Sequence, residues 1–182
     1  MKKDSIVQFV CFITQLEPDE FAGTWEHYAK RFMTKAKAIT LQQESDVNAR
    51  YKYISQHEWA GKDFRFAFME GRNSEHFPEQ KVKVIQAGGY MPMQIQYKGK
   101  TENGNNKVMA FIGHKETDIE FYKSLPYYRH LNIYEAYFES CTYAYVLEFF
   151  SPESAVTDLL QQLKGRPSVE AAAYRKCVAE HA

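Results

Sequence analysis

Apolar residues follow two rhythms along this chain, and the rhythms alternate in the same order twice. Residues 6–13 (IVQFVCFI) form a short apolar run bounded by polar residues, which predicts a strand. Pro18, Asp19 and Glu20 suit the first turn of a helix, where a missing N–H costs nothing and acidic groups meet the positive end of the dipole. Phe21, Trp25, Tyr28 and Phe32 then line one face of a helix running to about residue 38. Residues 40–46 read as a short extended or edge segment. Residues 50–59 and 64–69 alternate as two strands, with Ala60, Gly61, Lys62 and Asp63 making the hairpin between them. Asn73 or Ser74 is a plausible cap for a second helix, on which Val82 and Ile85 face the sheet and which stops at Gly88 and Gly89. Residues 90–97 alternate again, and Pro92 places that strand on an edge or at a bulge.

The order recurs after residue 106. Residues 108–114 predict a strand, 118–124 a short helix, and 132–139 and 142–150 a strand pair. Ser151 and Pro152 open another helix, which Gly165 and Pro167 stop. Ser168 then caps a closing helix to about residue 180, whose alanines 171–173 have high helix propensity. Residues 98–106 (KGKTENGNN) carry nothing to bury and mark the junction. The expected fold class is α+β: two tandem ferredoxin-like β-α-β-β-α repeats whose antiparallel sheets are covered by helices. The expected units are residues 1–97 and 107–182, joined by 98–106.

Composition narrows the function classes. The 23 basic and 23 acidic residues balance, which argues against a nucleic-acid partner. No run is long enough to cross a membrane, and the N-terminal run is too short and too interrupted by polar residues for a leader. Cys11, Cys141 and Cys177 have no metal-ligand spacing and read as reduced thiols of a cytoplasmic protein. Near-zero charge and 13 tyrosines favour self-association, so a homodimer is expected.

The densest polar and aromatic cluster runs from His57 and Trp59 through Arg65 to His76. With His57 and Arg65 as cross-strand neighbours, Arg65 would hold an anionic or phenolic ligand and His57 would move a proton. These two are the expected catalytic pair. Tyr53, Trp59 and His76 would line the same pocket, and Tyr128 and His130 would stand at a pocket mouth in the second half. Polar residues on the solvent face of a sheet give the same pattern. No metal site is expected, because His76 with Glu75 and Glu79 offers too few ligands on one turn.

On this element order, the chain resembles the dimeric α+β barrel superfamily of ferredoxin-like units. That group includes antibiotic-biosynthesis monooxygenases, heme-degrading monooxygenases and chlorite-dismutase-like proteins. The resemblance implies a small-molecule pocket between a sheet and its covering helices, and no particular reaction. Heme-degrading members use an Asn on the first strand, a Trp and a helical His. Here Gln8 stands on the first strand, Trp25 or Trp59 would serve only by rearrangement, and His76 lies near the start of the second helix. Chlorite-dismutase-like members need a proximal His and a distal Arg that do not align. No cofactor is therefore expected, heme included. The function implied is a cofactor-independent monooxygenase acting on an aromatic or phenolic substrate, or else a non-catalytic ligand-binding or dimerising module.

Overall fold

A computed structural model describes residues 5–32, 36–45, 49–64, 81–98, 107–115 and 118–181. The strands are β1 (Ser5–Thr14), β2 (Ala38–Glu44), β3 (Tyr53–Ala60), β4 (Val82–Ile95), β5 (Lys107–Ile112), β6 (His130–Ala136), β7 (Tyr145–Phe150) and β8 (Val169–His181). The helices are α1 (Pro18–Phe32), α2 (Ile119–Lys123) and α3 (Val156–Lys164). The strands close into one barrel in the order β1-β3-β2-β8-β5-β7-β6-β4. Every neighbouring pair is antiparallel. The fold is thus mixed α+β with an antiparallel sheet, closed on itself.

Closure buries the inner face of the strands, and the helices cover the outer face of β1, β3, β5 and β7. On β1, Val7, Phe9 and Cys11 point into the barrel, where they meet Tyr51, Tyr90, Phe111, Tyr143 and Tyr174. Alternate residues Ile6, Val10 and Phe12 point outward and pack with Phe21 and Trp25 of α1. The outer layer of the second half is built the same way: Val108, Ala110, Leu147 and Phe149 lie under Tyr122 of α2 and Leu159 and Leu163 of α3. Asp118 caps α2 by accepting a hydrogen bond from the Phe121 N–H at 3.2 Å.

Several expectations are corrected. Both edges of β3 are occupied, by β1 and β2, so its hairpin partner is β2 rather than residues 64–69. Of that segment only Phe64 is described. The first helix ends at Phe32, and β2, expected as a minor edge segment, is a full strand between β3 and β8.

Val82 and Ile85 lie on β4, not on a helix, and β4 runs straight through Gly88 and Gly89. The glycines serve close approach. Gly88 has φ +117°, and a Cβ there would sit 2.7 Å from Cys141 Sγ. A Cβ on Gly89 would sit 2.3 Å from the Phe64 ring. Pro92 precedes a bulge between β4 and β6, as one of its two readings anticipates.

The closing helix is the strand β8. The helix propensity of alanines 171–173 loses to pairing with β5 on one side and β2 on the other. Small side chains also suit β8's place: Ala172 fits inside the barrel and Ala173 fits beneath α3.

The barrel interior also holds charge. The Lys107 ammonium donates to the Glu148 carboxylate, and both side chains are nearly inaccessible. Burial pushes the Glu148 pKa up, but the Lys107 charge and hydrogen bonds from Lys107, Tyr134 and Asn132 outweigh it and hold the group below its ordinary value.

Two outcomes follow from this packing. Gly88→Ala should cost about 1–3 kcal/mol, from the positive φ and the contact with Cys141, in urea denaturation. Gly165→Ala, whose Cβ would meet nothing closer than 3.4 Å, should change little. Lys107→Met should cost roughly 3–5 kcal/mol by leaving Glu148 buried and unpaired, and Lys107→Met with Glu148→Met should recover most of it.

Candidate functional site

The outer layer of the first half differs chemically from that of the second. The period of two on β3 sends Tyr53, Ser55, His57 and Trp59 outward, toward α1. Gln8 of β1 lies directly opposite His57. Trp25 of α1 reaches down onto Ser55. All five hydrogen-bonding partners are buried: Ser55 and His57 are fully inaccessible, as are both indoles, and Gln8 is nearly so.

Their hydrogen bonds have one self-consistent direction. An indole N–H only donates. Trp59 Nε1 lies 3.2 Å from Gln8 Oε1, so that atom must be the amide oxygen. His57 Nδ1 lies 2.9 Å from the same oxygen and must therefore carry the proton. His57 Nε2 is then an acceptor, and the Ser55 hydroxyl donates to it. Ser55 Oγ in turn accepts from Trp25 Nε1 at 2.9 Å. Two donor-only groups at the two ends thus fix every proton between them.

Burial lowers the His57 pKa to about 3, because a charged imidazolium would be stranded without water. The ring is neutral throughout the ordinary pH range. Tyr53 extends the layer and stacks on Phe21 with ring centroids 3.9 Å apart. A surface recess of about 500 Å³, lined by Ile13, Thr14, Gln15, Leu16, Lys81, Val82 and Lys83, touches this layer through Leu16 and Val82.

The structure therefore brings His57, Trp59 and Tyr53 into one layer. It adds Gln8, Ser55 and Trp25, which the sequence reading did not place at the site. The available signals were the period of two on β3 and a lone amide within the apolar run of β1. Arg65 and His76 lie outside the described residues. The cross-strand neighbours of His57 are Gln8 and Ile39, which corrects the expected pairing with Arg65. Tyr128 and His130 stand apart from this layer, in the second half. Tyr128 donates to the Lys123 carbonyl at 2.6 Å and packs on Phe149, and His130 is exposed beside Tyr97.

No protein-family model matches the chain. No curated protein matches it either. Solved structures do. A variant chlorite dismutase from Candidatus Nitrospira defluvii, in complex with cyanide, matches with a TM-score of 0.58 at 8% identity, over 96% of this chain and 92% of that one. An anthrone oxidase-like protein matches with a TM-score of 0.54 at 12% identity, over 99% and 93%. A candidate monooxygenase from Fusobacterium nucleatum matches with a TM-score of 0.56 at 11% identity, over 100% and 96%. The chain has the fold of the dimeric α+β barrel (ferredoxin-like) superfamily, the group that its element order resembles. Within that fold it is similar to oxidase-like and monooxygenase-like members.

These likenesses correct one expectation. Heme was set aside at the sequence level, yet the fold is shared with chlorite dismutases along nearly the whole chain, so the expectation of no cofactor does not stand. His57 is not free to hold a heme. Both ring nitrogens of His57 are engaged, and His114 Nε2 is held by the Cys141 carbonyl at 2.7 Å. The recess beside Leu16 and Val82 and the small one beside Arg50 are lined by no histidine.

The buried imidazole leaves a pH signature. The unfolded chain protonates His57 near pH 6.5, and the folded chain only near pH 3. Between those values the unfolded state binds a proton that the folded state refuses. Stability is thus full above the unfolded pKa and falls as pH drops toward the folded one, by about 1.4 kcal/mol per pH unit for this group. His57→Gln should remove that share of the slope in urea denaturation at a series of pH values. An unchanged slope would show that His57 is not buried and neutral.

Proposed function

We propose that this protein binds an aromatic, hydroxyl-bearing small molecule in the layer between the outer face of β1 and β3 and helix α1, and oxidises it with molecular oxygen. The observation that carries this reading is the fixed, neutral His57 with its partners Gln8, Ser55, Trp25 and Trp59, set in an otherwise apolar layer. The matching layer of the second half is built from apolar and aromatic side chains alone. Buried polar groups are costly, and their presence on one side only supports a use for them there. The recess at Leu16 and Val82 borders this layer from the surface.

In this reading His57 Nε2 accepts the hydroxyl proton of the enol form of an anthrone-type substrate, the anion formed beside the imidazolium offsetting the burial that otherwise keeps the ring neutral, and the ring carbon of that anion reacts with oxygen. The substrate's methylene becomes a carbonyl, one oxygen atom leaves as water, and the methylene supplies the electrons. Likeness to an anthrone oxidase-like protein and to candidate monooxygenases supports that class of chemistry. A second reading, ligand binding without catalysis, is favoured by the fact that both His57 nitrogens already have partners.

The proposal extends to organisation. The strand orders β4-β1-β3-β2 and β8-β5-β7-β6 occupy corresponding halves of the barrel, which supports two ferredoxin-like repeats, residues 1–97 and 107–182. The exposed side chains of Met91, Met93 and Tyr137 support a homodimer, whose mass in light scattering would be twice 21.3 kDa. The buried free thiols Cys11 and Cys141 suit a cytoplasmic setting.

The chain's two tryptophans both belong to the network, so intrinsic fluorescence reads the site directly. Titration with an anthrone should quench the emission, and oxygen uptake should accompany it. His57→Gln should keep binding and slow oxygen uptake about a hundredfold or more, the usual contribution of a general base. Quenching without oxygen uptake selects the second reading. No change in emission rejects both.

A further inference from the structure

We propose that Gln8, locked by Trp59, holds His57 as a permanent hydrogen-bond acceptor and so makes the site selective for a neutral hydroxyl over its anion. The inference rests on the proposed function and names the protonation state of the group that is recognised. Ser55 stands in for that group, because its hydroxyl makes the bond that a ligand's hydroxyl would make.

The argument needs only donor and acceptor bookkeeping. Trp59 Nε1 cannot accept, so the Gln8 oxygen faces it and the same oxygen faces His57 Nδ1. A carboxamide oxygen carries no proton to give, so Nδ1 keeps its own. Nε2 is left with a lone pair aimed at Ser55. A phenol or alcohol satisfies that lone pair. A phenolate or carboxylate does not, since it presents one lone pair to another.

The surroundings reinforce the choice. Ser55 and Trp59 flank His57 on β3, Gln8 faces it from β1 and Trp25 closes the layer from α1, all uncharged. Among the described residues, burial is the cause of the His57 shift and no charged neighbour contributes. An anion would thus lose its water without gaining a countercharge from them. Gln8 acts through His57 and does not touch the ligand, so it is a positioning residue. A Glu at that place would still accept from Trp59 and from His57 Nδ1, but its charge would favour the imidazolium, turning Nε2 from acceptor to donor.

Nitrogen-15 spectra of the imidazole in the full-length protein test the first step. They should show a neutral His57 with the proton on Nδ1, and the Gln8→Glu variant should show an imidazolium. A neutral ring protonated on Nε2 would overturn the inference. Calorimetric titration with 4-nitrophenol, which ionises near neutral pH, tests selectivity. Affinity should fall by roughly tenfold or more as the phenol ionises, the loss expected when a buried acceptor meets no donor. Benzyl alcohol, which stays neutral, should bind equally across the same range.

Gln8→Glu should reverse the preference toward the phenolate. Ser55→Ala should tighten binding of the neutral phenol by removing the competing hydroxyl. Phenolate binding as tightly as phenol to the unaltered protein would overturn this inference and leave the proposed site intact. Failure of both forms to bind would overturn this inference and the proposed site together.

Discussion

The closure of the barrel is the constraint on which the rest depends. Pairing of β2 with β8 and of β4 with β6 turns two sheets into one ring with no free edge. An eight-stranded ring is narrow enough for side chains to fill, and here they do. Aromatic residues do most of that filling. Phe9 meets Tyr90 and Tyr134 edge-on at 5.6 and 5.3 Å, and Phe111 meets Tyr51 at 5.7 Å. The tyrosine hydroxyls then find partners across the interior: Tyr51 with Tyr143, Tyr174 with the Tyr51 carbonyl, and Tyr90 with the Tyr143 carbonyl.

Outside the filled interior, the two outer layers are unequal. In the second half the layer is a plain hydrophobic contact between sheet and helices. In the first half a histidine, a serine and an amide interrupt it. Their placement follows from two strand registers. Gln8 opposite His57 sets one hydrogen bond, and the period of two on β3 sets the other. The tryptophans do double duty there, supplying apolar bulk to the layer and a donor to each end of the polar chain.

Much of the fold was legible because local signals and tertiary demands agreed. The first strand, the start of α1, the span of α2 and the Gly165 stop all stand where the sequence places them. The failures share a cause. Gly88 and Gly89 look like a helix stop, but they serve contacts with Cys141 and Phe64, which are distant in sequence. Alanines 171–173 look helical because propensity is local, whereas β8 is decided by two partner strands. The site was half legible. His57, Trp59 and Tyr53 stood out by residue type, while Gln8 and Ser55 matter only through a register that no single segment encodes.

The late position of β8 has a consequence for synthesis. Its partners are β5 and β2, and the second pairing joins Glu44 to Tyr174. A ribosome therefore delivers β2 long before the strand that covers its outer edge. Through that interval the nascent first half carries an open row of backbone donors and acceptors, the usual template for pairing with another chain. Such long-range closure also slows folding, since the loop must be ordered before the contact rewards it. Damage to β8 would thus act at a distance: it would uncap the first half and expose newly made chains to aggregation.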